Sequence, residues 1–284
     1  MKAMSLAWAL CVCAFLVVSP CHGSAQDEEL DISRGPKEIR ASGRILIGVY
    51  DDKFPFGYID ENGDRRGYDI YFAKRIGRDL GVEIEWVPVA PSERVSCLLE
   101  GRADIVLASF TVTPQRAAQV DFALPYMKVT LAVISPNDDI ITDMVELHGR
   151  TLIVCRGTTA EAWVEAVHPE IDLLKFDEWP DAWDALQTGK GVALCGDNAD
   201  VFAWALAHEG FTVGIPSIGR LSTIAPGVRK GNVALKEWIN EEIRRLGMRN
   251  FFHTAYAETL ASVFGKSSDL TSLVVEGGQV RIAR

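Results

Sequence analysis

Residues 45–49 read Ile45-Leu46-Ile47-Gly48-Val49, an unbroken apolar run of strand length. A strand with one wet face would alternate with polar residues. A continuous run suits a strand covered on both faces, as in a parallel sheet. The chain that follows completes the unit. Asp60-Glu61-Asn62-Gly63-Asp64 is a turn, with Asn-Gly supplying the positive φ angles of a tight hairpin. Ile70, Ala73, Ile76 and Leu80 then recur at helical spacing, and Gly81 ends the helix. Val82-Glu83-Ile84-Glu85-Trp86 alternates as a strand. Ser92 through Glu100 reads as a second helix stopped by Gly101, and Ala103-Asp104-Ile105-Val106-Leu107-Ala108 is the third strand. This β-α-β-α-β succession demands a mostly parallel sheet with helices on its faces.

The same unit recurs further along. Thr151 to Cys155 is a strand, Ala160 to Val167 a helix and Leu173 to Phe176 a strand. Asp181 to Thr188 is a helix closed by Gly189, Val192 to Cys195 a strand and Asp200 to His208 a helix. Two α/β units predict two lobes facing each other across a cleft, with a ligand beyond the carboxyl ends of their strands. Leu131-Ala132-Val133-Ile134 is expected as the crossing strand, and Ile224 to Arg229 as the return. Lobe 1 then spans 44–130 plus 226–262, including a helix from Leu235 to Leu246. Lobe 2 spans 131–225, and 263–284 is a tail with no assigned place.

Ahead of the first strand, Lys2 precedes an apolar run from Leu6 to Val18, and Gly23-Ser24-Ala25 offers small residues for cleavage. Residues 1–25 therefore read as a signal peptide and predict a periplasmic protein, with 26–43 a loose acidic leader. Val18-Ser19-Pro20-Cys21 faintly resembles a lipoprotein box, but proline before the cysteine is atypical. No later stretch approaches the roughly 20 apolar residues of a spanning helix. The 284 residues carry 29 Lys and Arg against 39 Asp and Glu, a net charge of -10 without any basic run. That balance argues against nucleic acid or anionic membrane as a partner. Beyond the signal segment only Cys97, Cys155 and Cys195 remain, an odd number and too few for a disulfide scaffold. Cys155 and Cys195 end strands expected to be neighbours. They are read as free core thiols, with a disulfide as the alternative in an oxidising compartment.

The usual catalytic patterns are missing. There is no Gly-x-Ser-x-Gly, His-Glu-x-x-His or Gly-x-Gly-x-x-Gly, and Gly265-Lys266-Ser267 has Leu260 where a phosphate loop needs its first glycine. No cofactor or metal is expected. What remains is polar chemistry at strand ends. Ser109-Phe110-Thr111-Val112-Thr113-Pro114-Gln115-Arg116 follows the third strand of lobe 1. Its hydroxyls, free N–H groups and arginine suit a carboxylate, to which a guanidinium offers two parallel charge-assisted bonds. Arg156-Gly157-Thr158-Thr159 opens a helix in lobe 2, where exposed N–H groups favour an anion. Asp197 closes the last strand of lobe 2 and suits an ammonium. An anion clamp opposite a carboxylate fits an α-amino acid.

Gly67-Tyr68-Asp69-Ile70, Glu100-Gly101-Arg102-Ala103-Asp104-Ile105, Thr111 to Arg116 and Val120-Asp121-Phe122-Ala123-Leu124-Pro125-Tyr126 occur in that order. With Arg156-Gly157-Thr158-Thr159 and Gly227-Val228-Arg229-Lys230-Gly231-Asn232, the stretch from about 44 to 260 resembles the extracellular solute-binding proteins of family 3. These are the polar-amino-acid receptors of bacterial ABC importers. The resemblance implies a two-lobed periplasmic-binding-protein (type II) fold with two hinge crossings, an α-amino-acid ligand and a membrane permease as partner. It puts Thr111, Arg116 and Thr158 on the ligand α-carboxylate and Asp197 on its α-amino group. The full set expected at the ligand is Asp51, Arg94, Ser109, Phe110, Thr111, Arg116, Thr158 and Asp197.

Many members of the family sandwich the ligand side chain between aromatics. Here the matching stretches are Asp52-Lys53-Phe54 and Ala90-Pro91-Ser92. In glutamate and aspartate receptors of the family an arginine at the position of Arg94 holds the side-chain carboxylate, so the ligand expected here is an acidic amino acid, with Lys53 and Arg156 offering further positive charge. Two other readings stay open: an enzyme like periplasmic cyclohexadienyl dehydratase, and a sensor module serving a separate membrane protein.

Overall fold

The computed structural model describes residues 33–264 and 272–280. The opening apolar run lies in the strand Arg44–Val49, with Ile45, Ile47 and Val49 fully buried. It is flanked in parallel by Glu83–Pro88 on one side and Ile105–Val106 on the other. Gly227–Arg229 follows, antiparallel to Ile105–Val106, and Val120–Phe122 pairs antiparallel with it at the edge, completing a five-stranded sheet in which only Gly227–Arg229 runs against the rest. A second five-stranded sheet repeats this plan. Thr151–Cys155 lies parallel to Asp172–Phe176 and Ala193–Asp197, while the long strand Met127–Pro136 runs antiparallel between Ala193–Asp197 and the edge strand Phe211–Ile224. The β-α-β pattern thus accounts for three parallel strands in each lobe. The other two strands of each sheet flank the two passages of the chain from lobe to lobe.

Those passages are short neighbours. The chain leaves the first sheet after Phe122, enters the second at Met127 and returns between Ile224 and Gly227. Ala123 N–H donates to Pro226 O at 2.9 Å and Tyr126 N–H to Ile224 O at 3.0 Å, tying the two crossings together. Residues 131–134, expected as the crossing, lie inside the Met127–Pro136 strand. Their apolar run is a core strand of the second sheet, so the crossing falls a few residues earlier.

Helix Tyr68–Leu80 buries Ile70, Phe72, Ala73, Ile76 and Leu80, and stops at Gly81, whose φ of 73° is left-handed. Helix Val233–Gly247 adds Leu235, Ile239, Ile243 and Leu246 to the same core. The expected helix from Ser92 splits into a 3-10 turn, Pro91–Glu93, and an α-helix, Arg94–Leu99. The expected strand 103–108 shortens to Ile105–Val106. Asp104 instead accepts the Leu46 N–H on its carboxylate at 2.8 Å and pairs with Arg34.

Part of the expected loose leader is ordered. Pro36–Ser42 is a helix with proline at its start, Gly43 left-handed at its end and Ile39 in the core. In the tail, Val275 N–H donates to Tyr126 O at 3.0 Å, and Leu273, Val274 and Val275 are buried. The signal peptide and Cys21 lie outside the described residues. Among the described residues no helix is long and apolar enough to cross a membrane.

Cys97, Cys155 and Cys195 are free and buried. Cys195 packs into one core of the second lobe with Leu152 and Val154, Cys155 into the other with Ile153 and Leu194. The two thiols leave opposite faces of one sheet, so its pleat keeps them apart.

Candidate functional site

Strand ends of both lobes converge on one cleft. The turn after Ile105–Val106 is set by a buried carboxylate. Asp69 accepts the Ser109 N–H at 2.7 Å and the Tyr126 hydroxyl at 2.6 Å. That grip holds Ser109 at a φ of 42°, in the left-handed region. Burial pushes Asp69 up from the ordinary carboxylate range. Phe110 follows, fully buried, with its ring 5.2 Å from the guanidinium carbons of both Arg94 and Arg116. It is a platform for two cations.

The two arginines use carbonyls as partners. Arg94 donates from Nε to Pro91 O at 2.9 Å and from Nη1 to Ala108 O and Ser109 O, each at 3.1 Å. Its Nη2 reaches Gly157 O, in the other lobe, at 3.0 Å. Arg116 donates from Nη1 to Thr111 O at 2.7 Å and from Nη2 to the same Gly157 O at 2.8 Å. Among the described residues neither guanidinium is paired with a carboxylate. Burial, then the charge of Arg94, push Arg116 down from the usual arginine range to about 9. Two like charges, Arg94 buried and Arg116 half-buried, with neutral partners form a site that an anion relieves.

Lobe 2 meets them with a helix start. Thr158 caps Thr159–Val167: its hydroxyl accepts the Glu161 N–H at 3.2 Å and donates to Cys155 O at 2.7 Å. Gly157, before it, has a φ of 71°, and a Cβ there would lie 2.4 Å from Ser92 Cα of the first lobe. Only glycine permits both this turn and this approach.

Asp197 Oδ2 lies 3.0 Å from Lys53 Nζ, and Asp200 Oδ2 lies 2.6 Å from the same nitrogen. The contact to Asp200 is close but off-axis, and neither Asp200 oxygen has an aligned hydrogen bond. Burial pushes Asp200 up. Burial alone would lower Lys53, but Asp197 and Asp200 outweigh it and hold the ammonium above the lysine range. The Tyr50 hydroxyl and Trp179 Nε1, both buried, also lack a hydrogen-bond partner among the described residues. Tyr50, Lys53, Arg94, Thr111, Thr158, Trp179 and Asp197 surround a cavity of about 10 Å³, space for about one water. Past Thr111, Thr159 and Asp197 it adjoins a larger one, about 390 Å³, beside Thr130, Trp163 and Arg220. Another cavity, about 690 Å³, lies elsewhere among Lys128, Arg244, His253 and Glu276, away from this convergence of buried charge.

Arg94, Thr111, Arg116, Thr158 and Asp197 therefore come together. Phe110 sits beneath the arginines, and Ser109 turns its hydroxyl towards Asp69, at 3.4 Å. Asp51 is elsewhere, with Arg65 Nε and Nη2 each donating to its carboxylate at 2.7 Å. Three residues at the cleft, Tyr50, Trp179 and Asp200, were not signalled by the sequence. A tyrosine after a strand, a tryptophan opening a helix and an aspartate two residues into one carry no spacing of their own. Lys53, expected to offer its charge to the ligand, instead gives it to Asp197 and Asp200, and Arg156 pairs with Asp177 at the surface.

The model of the bacterial extracellular solute-binding proteins, family 3, matches residues 45–257. Among solved structures, a solute receptor for L-cysteine of Neisseria gonorrhoeae is similar at 44% identity and a TM-score of 0.84, over 86% of this chain and 100% of that one. The cysteine-binding protein of Campylobacter jejuni is similar at 44% identity and a TM-score of 0.83, over 85% and 98%. A glutamine-binding protein of Geobacillus stearothermophilus is 31% identical over 178 residues, 61% of this chain and 67% of its own. These relatives are binding proteins, and this chain is a binding protein rather than an enzyme. Its two-lobed fold, its cleft and the match across both lobes make it a member of the bacterial extracellular solute-binding proteins of family 3.

Proposed function

We propose that this protein traps a small zwitterionic amino acid, L-cysteine foremost, between its lobes in the periplasm and delivers it to the membrane permease of an ABC importer. The observation that carries this reading is the pair of guanidiniums, Arg94 buried and Arg116 half-buried, without a carboxylate partner among the described residues and facing Asp197 across the cleft. An α-carboxylate relieves the first and an α-ammonium meets the second. The lobes close on the ligand by population shift, because only a molecule touching both sides favours the closed state.

A small uncharged side chain replaces the acidic one expected from Arg94. Four of the five Arg94 N–H groups are spent on backbone carbonyls, leaving little for a second carboxylate. The close walls around Lys53 and the 44% identity to two cysteine receptors point the same way. Calorimetry under reducing conditions with all common amino acids tests the reading. L-cysteine is expected to bind far more tightly than glutamate, aspartate, arginine or lysine. Tight binding of one of those four, with no response to cysteine, would reject it.

A further inference from the structure

Lys53 stands inside a cation-recognition site built by both lobes. Its ammonium lies 4.8 Å from the ring centroid of Trp179, 5.3 Å from that of Tyr50 and 6.0 Å from that of Phe56. Asp197 and Asp200 add two carboxylates at 3.0 and 2.6 Å. The lysine side chain is 3% exposed. Aromatic faces ringing a buried ammonium, with acids behind it, are how proteins hold alkylammonium ligands. Here two acids face one cation, and Asp200 has no aligned hydrogen bond to either oxygen.

We propose that this box is an alkylammonium-binding subsite occupied by the protein's own Lys53, which thereby shuts basic amino acids out of the cleft. Lys53 neutralises the charge of Asp200 and shares Asp197, whose second oxygen is left for a ligand ammonium. A second ammonium, at the end of a lysine or ornithine side chain, would meet Lys53 already in its place. The exclusion of basic amino acids rests on the reading of the cleft as an amino-acid site; the occupation of the box by an amine does not.

The test is chemical rescue. Lys53→Ala retains Cβ and removes Cγ, Cδ, Cε and Nζ, the skeleton of propylammonium. The variant is expected to melt below wild type. Saturating propylammonium chloride should raise its Tm by roughly 5 °C. Ethylammonium should do less, propanol nothing, and wild type should not respond. Lys53→Met, which fills the space without charge, should not respond either. Calorimetry should then show L-lysine or L-ornithine binding to Lys53→Ala and not to wild type. A natively folded Lys53→Ala that propylammonium stabilises no more than wild type overturns the subsite. Rescue by propylammonium with no gain of basic amino-acid binding overturns the exclusion. If Lys53→Ala does not fold, it is refolded with and without propylammonium. Recovery of the native circular dichroism only with the amine supports the subsite, and no recovery overturns it. L-cysteine titrated into wild type tests the proposed function separately, and a failure there leaves the propylammonium result standing.

Discussion

Gly157→Ala separates closure from folding. A Cβ at Gly157 would lie 2.4 Å from Ser92 Cα and 2.8 Å from Ser92 N, where ordinary contact begins near 3.4 Å. The lobes must then stand about 1 Å further apart at this point, since the obstacle is backbone and cannot rotate away. The bonds from Arg94 Nη2 and Arg116 Nη2 to Gly157 O, now 3.0 and 2.8 Å, would stretch towards 4 Å and cease to be hydrogen bonds. Losing even one such charge-assisted bond costs the closed state about 1.5–3 kcal/mol, or roughly 10–150-fold in affinity. The left-handed φ adds a separate cost of about 1–2 kcal/mol to an alanine, present whether the lobes are open or shut. It should lower the ligand-free Tm by roughly 2–8 °C. Calorimetry with L-cysteine reads the first effect and thermal unfolding the second, while small-angle scattering reports compaction. Wild-type affinity together with wild-type compaction in Gly157→Ala would refute the reasoning, because it would mean that Gly157 and Ser92 do not meet in the bound state.

Arg116→Ala should keep the fold and lose at least ~30-fold in affinity, since one side of a buried charge-assisted pair costs on the order of 2–5 kcal/mol; calorimetry checks this. Asp197→Ala should weaken L-cysteine far more than its deaminated analogue 3-mercaptopropionate, and equal losses for both would remove the ammonium assignment. Cys155 and Cys195 should resist a thiol reagent at pH 8 until denaturant is added. Burial holds both thiols above their ordinary range, Cys195 at about 12, so little thiolate forms. The same raised values mean that stability is whole below the unfolded thiol pKa near 9 and declines as pH climbs towards 12, which denaturant titrations at stepped pH will follow.

How far the molecule could be read from its chain depends on whether the cause is local. The 45–49 run, the helix closed by Gly81 and the strand at 151–155 depend on periodicity and a nearby glycine, and these were legible. Pro36–Ser42 is a single short helix that buries chiefly Ile39, too little apolar surface to rise above a polar leader. At the site, Arg116 and Asp197 stood out as charges at strand ends. The position of Arg94 was also legible, but its partners were not. They are carbonyls, which every residue owns, and Gly157 lies 63 positions away. The charge of Lys53 was legible too, but not its partners: nothing near it in the chain foretells Trp179, Asp197 and Asp200 arriving from the other lobe.

The order of strands in the first sheet bears on how the chain acquires its structure. Gly227–Arg229 lies between Ile105–Val106 and Val120–Phe122, although more than a hundred residues separate it from the former. Every strand of the second sheet belongs to the unbroken stretch 127–224. That stretch can therefore assemble from its own sequence, whereas the first sheet lacks an interior strand until the last fifth of the chain arrives. Closing so long a loop is slow, and the open edges of the incomplete sheet would meanwhile be exposed to wrong partners. Pulse-labelling hydrogen exchange during refolding should find amides of 151–155 protected before those of 105–106. The lobe made first would be the one finished last.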